Sequence, residues 1–184
     1  MKSKIQENLE FIYQFIDKPK SIGAIFPSSK YLAKTILRFI DFTKENLKIV
    51  EYGPGTGSFT KEIVKNLKES DKLIIIEQNK KFANTLKQKF KGIENISIYQ
   101  DCAKNISEML KEENIDAVDY IISSIPFSSI PKEVSENIMD NTKKIMKEKS
   151  LFIAFQYSML KLKAFKKYFT IIKKEFAIRN VPSA

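Results

Sequence analysis

The sequence contains no histidine, no tryptophan and a single cysteine. Without histidine there is no Ser-His-Asp triad, no imidazole acid–base group and no His-ligated metal. Cys102 alone makes neither a disulfide framework nor a thiolate metal site, so no metal is expected. Long apolar runs are missing too. The longest, Leu73–Ile76 and Leu151–Phe155, are strand-sized and too short to cross a bilayer. The basic start Met1–Lys4 is followed by Glu7, Glu10 and Asp17, which rules out the apolar centre of a signal peptide. A cytoplasmic location is the expectation. Only five glycines and six prolines are present, and there is no repeat or low-complexity linker. With 43% hydrophobic residues over 184 positions, the chain has enough apolar material for one domain with a real core.

Acidic charge is the minority: 22 acidic residues face 32 basic ones, a net charge of +10. That favours anionic partners, whether phospholipid head groups, nucleic acid or an acidic protein. The basic residues are nearly all lysine. Lysine suits point-charge attraction better than the bidentate base reading typical of arginine, and it equally suits a surface merely dressed with charge.

Ile5, Leu9, Ile12 and Ile16 recur at helical spacing, and Phe11, Tyr13 and Phe15 widen the apolar arc, so a helix is predicted over 4–16. Lys18-Pro19-Lys20 ends it. A second helix is predicted over 29–40, with Leu32, Ala33, Ile36, Leu37 and Ile40 on one face. From there the pattern alternates. Strands are predicted over 47–52, 72–77, 95–99, 117–122 and 150–156, and helices over 58–68, 80–90, 103–113, 131–147 and 158–168. A β-rich stretch over 169–178 follows. Alternating strands and helices mean βαβ crossovers. The expected fold is a Rossmann-like α/β three-layer sandwich with a mainly parallel sheet and two N-terminal helices. One domain is expected over 1–184, with 1–45 as a helical substrate or membrane segment and 46–184 as a cofactor-binding core.

Glu51-Tyr52-Gly53-Pro54-Gly55-Thr56-Gly57 ends the first of these strands and opens a helix. Such a loop brings backbone N–H groups close to a ligand, because glycine has no Cβ to hold the backbone away. Glu77 ends the next strand, twenty residues past Gly57, where an acidic side chain is placed to accept from ribose hydroxyls. The alternative is a cluster of turn glycines beside an exposed strand-end carboxylate.

The pattern E-x-G-x-G-x-G resembles the class I S-adenosylmethionine-dependent methyltransferases. The resemblance implies S-adenosyl-L-methionine as cofactor, held by Glu51, Gly53, Gly55, Gly57 and Glu77, with Gln78, Cys102 and Ser123 at its edges. It also implies that Asp101 binds the adenine amino group. From the sequence alone, Asp101 serves equally as a helix N-cap. After the fourth strand, Ser123-Ser124-Ile125-Pro126-Phe127 is similar to the N-x-P-[YF] motif of adenine-amine methyltransferases, in which the Asn side chain and a neighbouring backbone carbonyl hold the amine. The motif implies acceptor-site roles for Ser124, Pro126 and Phe127. Ser124 stands where that motif has Asn, and a hydroxyl lacks the fixed geometry of an amide. The reading as a Pro-stiffened loop with a core phenylalanine stays open.

Two narrower resemblances compete. Gly23-Ala24-Ile25-Phe26-Pro27-Ser28-Ser29, the Ser-x-x-Pro-Phe run and Asn180-Val181-Pro182 are similar to bacterial phospholipid N-methyltransferases. These imply a lipid amine acceptor of the phosphatidylethanolamine type, an anionic phospholipid surface as partner, and peripheral attachment to the inner membrane face. The helix over 4–16 would then adhere to lipid, with Tyr31 or Tyr13 near the head group; the alternative is an ordinary packed helix. Tyr52 through Thr60 is equally at home in the ribosomal RNA adenine dimethylases, which implies RNA as the alternative acceptor. A small-molecule or protein methyltransferase is a further alternative, and a cofactor-binding protein without activity is another. Oligomeric state is left open. Methyltransferases of this class share a seven-stranded sheet whose last strand is antiparallel. The strand count here stops at six, so a missing or shortened seventh strand is expected.

Overall fold

The computed structural model describes residues 29–156 and 162–170. Helix α1 (Ser29–Leu37) is followed by β1 (Lys48–Tyr52), α2 (Ser58–Val64), β2 (Lys72–Ile76), α3 (Lys80–Lys89) and β3 (Ile96–Tyr99). A 3-10 turn (Ala103–Asn105) leads to α4 (Ile106–Glu112), then β4 (Val118–Ser123), α5 (Lys132–Ile145), β5 (Met146–Ala154) and the short α6 (Leu162–Phe165). The fold is Rossmann-like α/β, as the alternating pattern predicts.

The described strands form one five-stranded sheet in the order β3-β2-β1-β4-β5. Every pairing is parallel, with Val50 opposite Ile74 on one side and Ile121 on the other. The chain winds outward from β1 to β3 and then returns to the other side of β1 for β4. That reversal opens a crevice at the carboxyl ends of β1 and β4, where open α/β sheets bind ligands. Period-two alternation divides the buried residues between two faces. Ile49, Leu73, Ile75 and Ile122 pack with Ile36, Ile63 and Leu86 of the helices on one side. Val50, Tyr52, Ile74, Ile76 and Ile121 pack with Ile106, Leu110, Ile138 and Met139 on the other. A sheet covered on both faces explains why its strands read as near-continuous apolar runs.

Several boundaries differ from the sequence reading. Helix α1 stops at Leu37 rather than 40, because Phe39 and Ile40 turn back to the carbonyls of Ile36 and Leu37 in tight three-residue steps. The predicted helix over 103–113 is split into a 3-10 turn and α4. Strand β5 begins at Met146 instead of 150. Met146 pairs with Val118 and Leu151 with Tyr120, so the intervening residues bulge from the ladder. Ser150 donates to the Val118 carbonyl at 2.5 Å, and Lys147 pairs with Asp119 at 2.6 Å. The helix expected over 4–16 and nearly all of the β-rich stretch over 169–178 lie outside the described residues, as does any strand beyond them. No helix among the described residues is long and apolar enough to cross a membrane.

Candidate functional site

The loop after β1 carries three glycines in left-handed backbone, Gly53 at φ 63°, Gly55 at 59° and Gly57 at 79°. Two of them are constrained by their neighbours as well. A Cβ on Gly53 would sit 3.3 Å from Ile125 Cγ1, and one on Gly57 would sit 2.6 Å from Leu86 Cδ2. The glycine loop thus passes directly under the Ser124–Phe127 loop, and the two candidate halves of the site touch.

Alternation along β1 and β2 sends Glu51 and Glu77 to the same face of the sheet, beneath the glycine loop. Both are fully buried. Glu77 accepts from the Gly55 N–H at 2.9 Å and the Asn79 N–H at 2.7 Å, so its carboxylate ties the two loops together. It is not the exposed strand-end residue of the alternative reading. Glu51 Oε2 accepts from the Thr60 hydroxyl at 2.7 Å, while Oε1 has no hydrogen-bond partner among the described residues. Burial pushes Glu51 up to about 7; the Thr60 hydroxyl opposes this and the charge of Glu77 adds to it. A buried acceptor oxygen without a donor is rare, and it leaves room for a donor or a cation. The cradle and this orphaned oxygen therefore fit S-adenosyl-L-methionine, whose amino-acid end carries an ammonium group.

At the rim, Gln78 is exposed and its carbonyl receives the Gln100 amide at 3.5 Å. Asp101 is also exposed. Its carboxylate accepts from the Cys102 N–H at 2.6 Å and the Asn105 amide at 2.9 Å. The N-cap position belongs to half-buried Cys102, which makes no side-chain cap bond, so Asp101 braces the turn from one residue earlier.

Ser123 is buried, and its hydroxyl accepts from the Ile125 N–H at 3.3 Å. Ser124 is half-buried, and its N–H extends the sheet ladder to the Tyr52 carbonyl at 3.0 Å. Pro126 stands half-buried on the crest. Phe127 departs from the acceptor-site role that the motif implies and takes the place of the core phenylalanine of the alternative reading. It is fully buried and meets Phe165 edge-on at 5.3 Å, so it anchors the loop from beneath. Tyr31 lies in α1, and its side chain is outside the described residues, as is Tyr13.

Two roles escaped the sequence reading. Thr60, in the first turn of α2, entered the sequence reading only as the last residue of a motif, and its place beside Glu51 gives it a role. Gln156 follows β5 and reaches across to the Ser124–Phe127 loop. Among the described residues no cluster of carboxylates and thiols could hold a metal ion.

The ribosomal RNA adenine dimethylase family model matches residues 13–182. An ornithine lipid N-methyltransferase of Singulisphaera acidiphila is 26% identical over 95% of this chain and 91% of its own length. Ribosomal RNA small subunit methyltransferase A of Mycoplasma capricolum is 33% identical over 68% of this chain but only 44% of its own length. Ribosomal RNA small subunit methyltransferase H of Clostridium botulinum is 36% identical over 52% of this chain and 33% of its own length. Among solved structures, TrmN of Thermus thermophilus superposes with a TM-score of 0.61 over 86% of this chain and 46% of its own, at 14% identity. A SAM-dependent methyltransferase of Aquifex aeolicus superposes with a TM-score of 0.51 over 79% of this chain and 69% of its own, at 17% identity.

Proposed function

The chain belongs to the ribosomal RNA adenine dimethylase family and is an S-adenosylmethionine-dependent methyltransferase; from that premise, we propose that its methyl acceptor is the amine of a membrane-lipid head group. One observation carries the proposal. The ornithine lipid N-methyltransferase matches 95% of this chain, whereas ribosomal RNA methyltransferases A and H match 68% and 52% of it. Ser124 supports the same reading, because a hydroxyl offers an amine one acceptor without the planar amide suited to a nucleobase edge. The net charge of +10 suits an anionic lipid surface, although RNA would be attracted equally.

Gly53, Gly55, Gly57, Glu51 and Glu77 would hold the cofactor, with Asp101, Gln78, Cys102 and Ser123 at its edges. Bound there, S-adenosylmethionine supplies a methyl group on a sulfonium. The protein's part is to hold a neutral amine in line with it. Ser124 and the loop crest at Pro126 present that amine above the glycine loop.

Transfer of labelled methyl groups tests the proposal. Vesicles of phosphatidylethanolamine or of ornithine lipid, each mixed with anionic lipid, are compared with ribosomal RNA. Label in the lipid fraction supports the reading. Label in RNA alone overturns it and returns the chain to the activity for which its family is named.

A further inference from the structure

Gln156 lies two residues past the end of β5, and its half-buried carboxamide bonds through both Nε2 hydrogens and through Oε1. Its Nε2 donates to the Ile125 carbonyl at 2.7 Å and to the Phe155 carbonyl at 2.7 Å. Its Oε1 accepts from the Phe127 N–H at 3.3 Å. Only this orientation of the amide works, since reversing it would point an oxygen at two carbonyls and an NH2 group at an N–H. One planar group therefore grips the loop on both sides of Pro126.

The Ile125 carbonyl receives a second donor, the Phe127 N–H at 2.9 Å. Both of its lone pairs are engaged, so the peptide between Ile125 and Pro126 is held in one orientation. The backbone around Gln156 is itself secured, because the Phe155 N–H donates to the Ser123 carbonyl at 2.8 Å. Rigid ladder strands thus carry Gln156, and Gln156 carries the loop.

We propose that Gln156 is a positioning residue for the methyl acceptor: its carboxamide fixes, from the end of β5, the loop that carries Ser124. The inference rests on the reading of Ser124–Phe127 as the acceptor loop. Gln156 acts through the peptide it clamps and sets where the Ser124 hydroxyl and the loop crest stand above the glycine loop.

The test uses the full chain with three variants. Gln156→Met keeps the length and volume but makes no hydrogen bonds. Gln156→Glu keeps the acceptor for Phe127 and loses the donor to Ile125. Ser124→Ala probes the loop itself. Methyl transfer to phosphatidylethanolamine vesicles, cofactor affinity by calorimetry and amide hydrogen exchange at Phe127 are measured for each. Both Gln156 variants should lower kcat by about tenfold, the effect of a hydrogen bond lost from a positioned group, with cofactor affinity unchanged. Gln156→Met should also speed exchange at Phe127 by about the same factor. If Ser124→Ala lowers turnover and the Gln156 variants do not, the role of Gln156 is overturned while the acceptor loop stands. If all three leave turnover unchanged, the acceptor loop is misassigned and the inference falls with it. Unchanged exchange at Phe127 overturns the clamp whatever the acceptor proves to be.

Discussion

The Thr60 hydroxyl satisfies one oxygen of the Glu51 carboxylate at 2.7 Å and leaves the other, fully buried, without a donor among the described residues. A single hydroxyl cannot offset the desolvation of a whole carboxylate, so the group holds its proton well above the usual range, up to about 7. Between the ordinary value of 4.5 and about 7, the native protein keeps a proton that the unfolded chain has released. Stability of the cofactor-free protein should therefore fall as pH rises through that window and level off above it, by an amount on the order of 3 kcal/mol. Glu51→Gln should flatten the profile and melt higher than the parent at pH 8, with little difference at pH 4. Thermal melts across pH check this, and parallel slopes for the two proteins would reject it.

The same substitution should act in the opposite direction on cofactor binding. An ammonium group favours the ionised carboxylate. Affinity for S-adenosylmethionine should rise with pH up to about 7 in the parent and stay flat in Glu51→Gln. Calorimetry in buffers of different ionisation enthalpy would show a proton released on binding by the parent alone. Equal proton counts would place the ammonium elsewhere.

Glu77 ties Gly55 to Asn79 through both carboxylate oxygens. Glu77→Ala strands two backbone donors and loosens the glycine loop. Cofactor affinity should weaken by roughly 1–3 kcal/mol, the usual range for a lost charged partner. Titration showing unchanged affinity would limit Glu77 to a structural role.

Gly57 adopts φ 79°, and a Cβ there would press on Leu86 Cδ2 at 2.6 Å. Gly57→Ala should lower stability by about 1–2 kcal/mol from the left-handed backbone alone. Leu86 is a flexible side chain, so the double variant Gly57→Ala/Leu86→Val should recover none of that backbone strain. Full recovery in denaturant unfolding would show that the side-chain contact is the whole cost.

Phe127 is fully buried against Phe165, so Phe127→Ala should cost about 3–5 kcal/mol of stability before any effect on turnover can be read. Phe127→Leu keeps most of the volume and is the better probe. It should lower turnover modestly, in step with its melting temperature. A large fall in turnover with an unchanged melt would restore the ring to the acceptor surface.

Much of this was legible in the one-dimensional pattern. Apolar strands alternating with amphipathic helices dictate a parallel sheet, because crossovers are the only way to return a chain to the same edge. The spacing of Gly53, Gly55 and Gly57 between a strand and a helix marks the candidate cofactor loop for the same local reason: each glycine adopts a backbone that other residues resist. What the tertiary structure alone decided is where side chains point and what they meet. Met146 through Lys149 looks helical in composition, yet it joins β5 because Val118 offers a ladder partner and Asp119 a counter-ion. Phe127 turned inward because Phe165, far along the chain, closes over it. Gln156 was invisible because its partners Ile125 and Phe127 come from a different strand end, brought close by β4 pairing with β5. Periodicity reports a residue's own segment, whereas these roles are set by contacts between segments that only the packed sheet brings together.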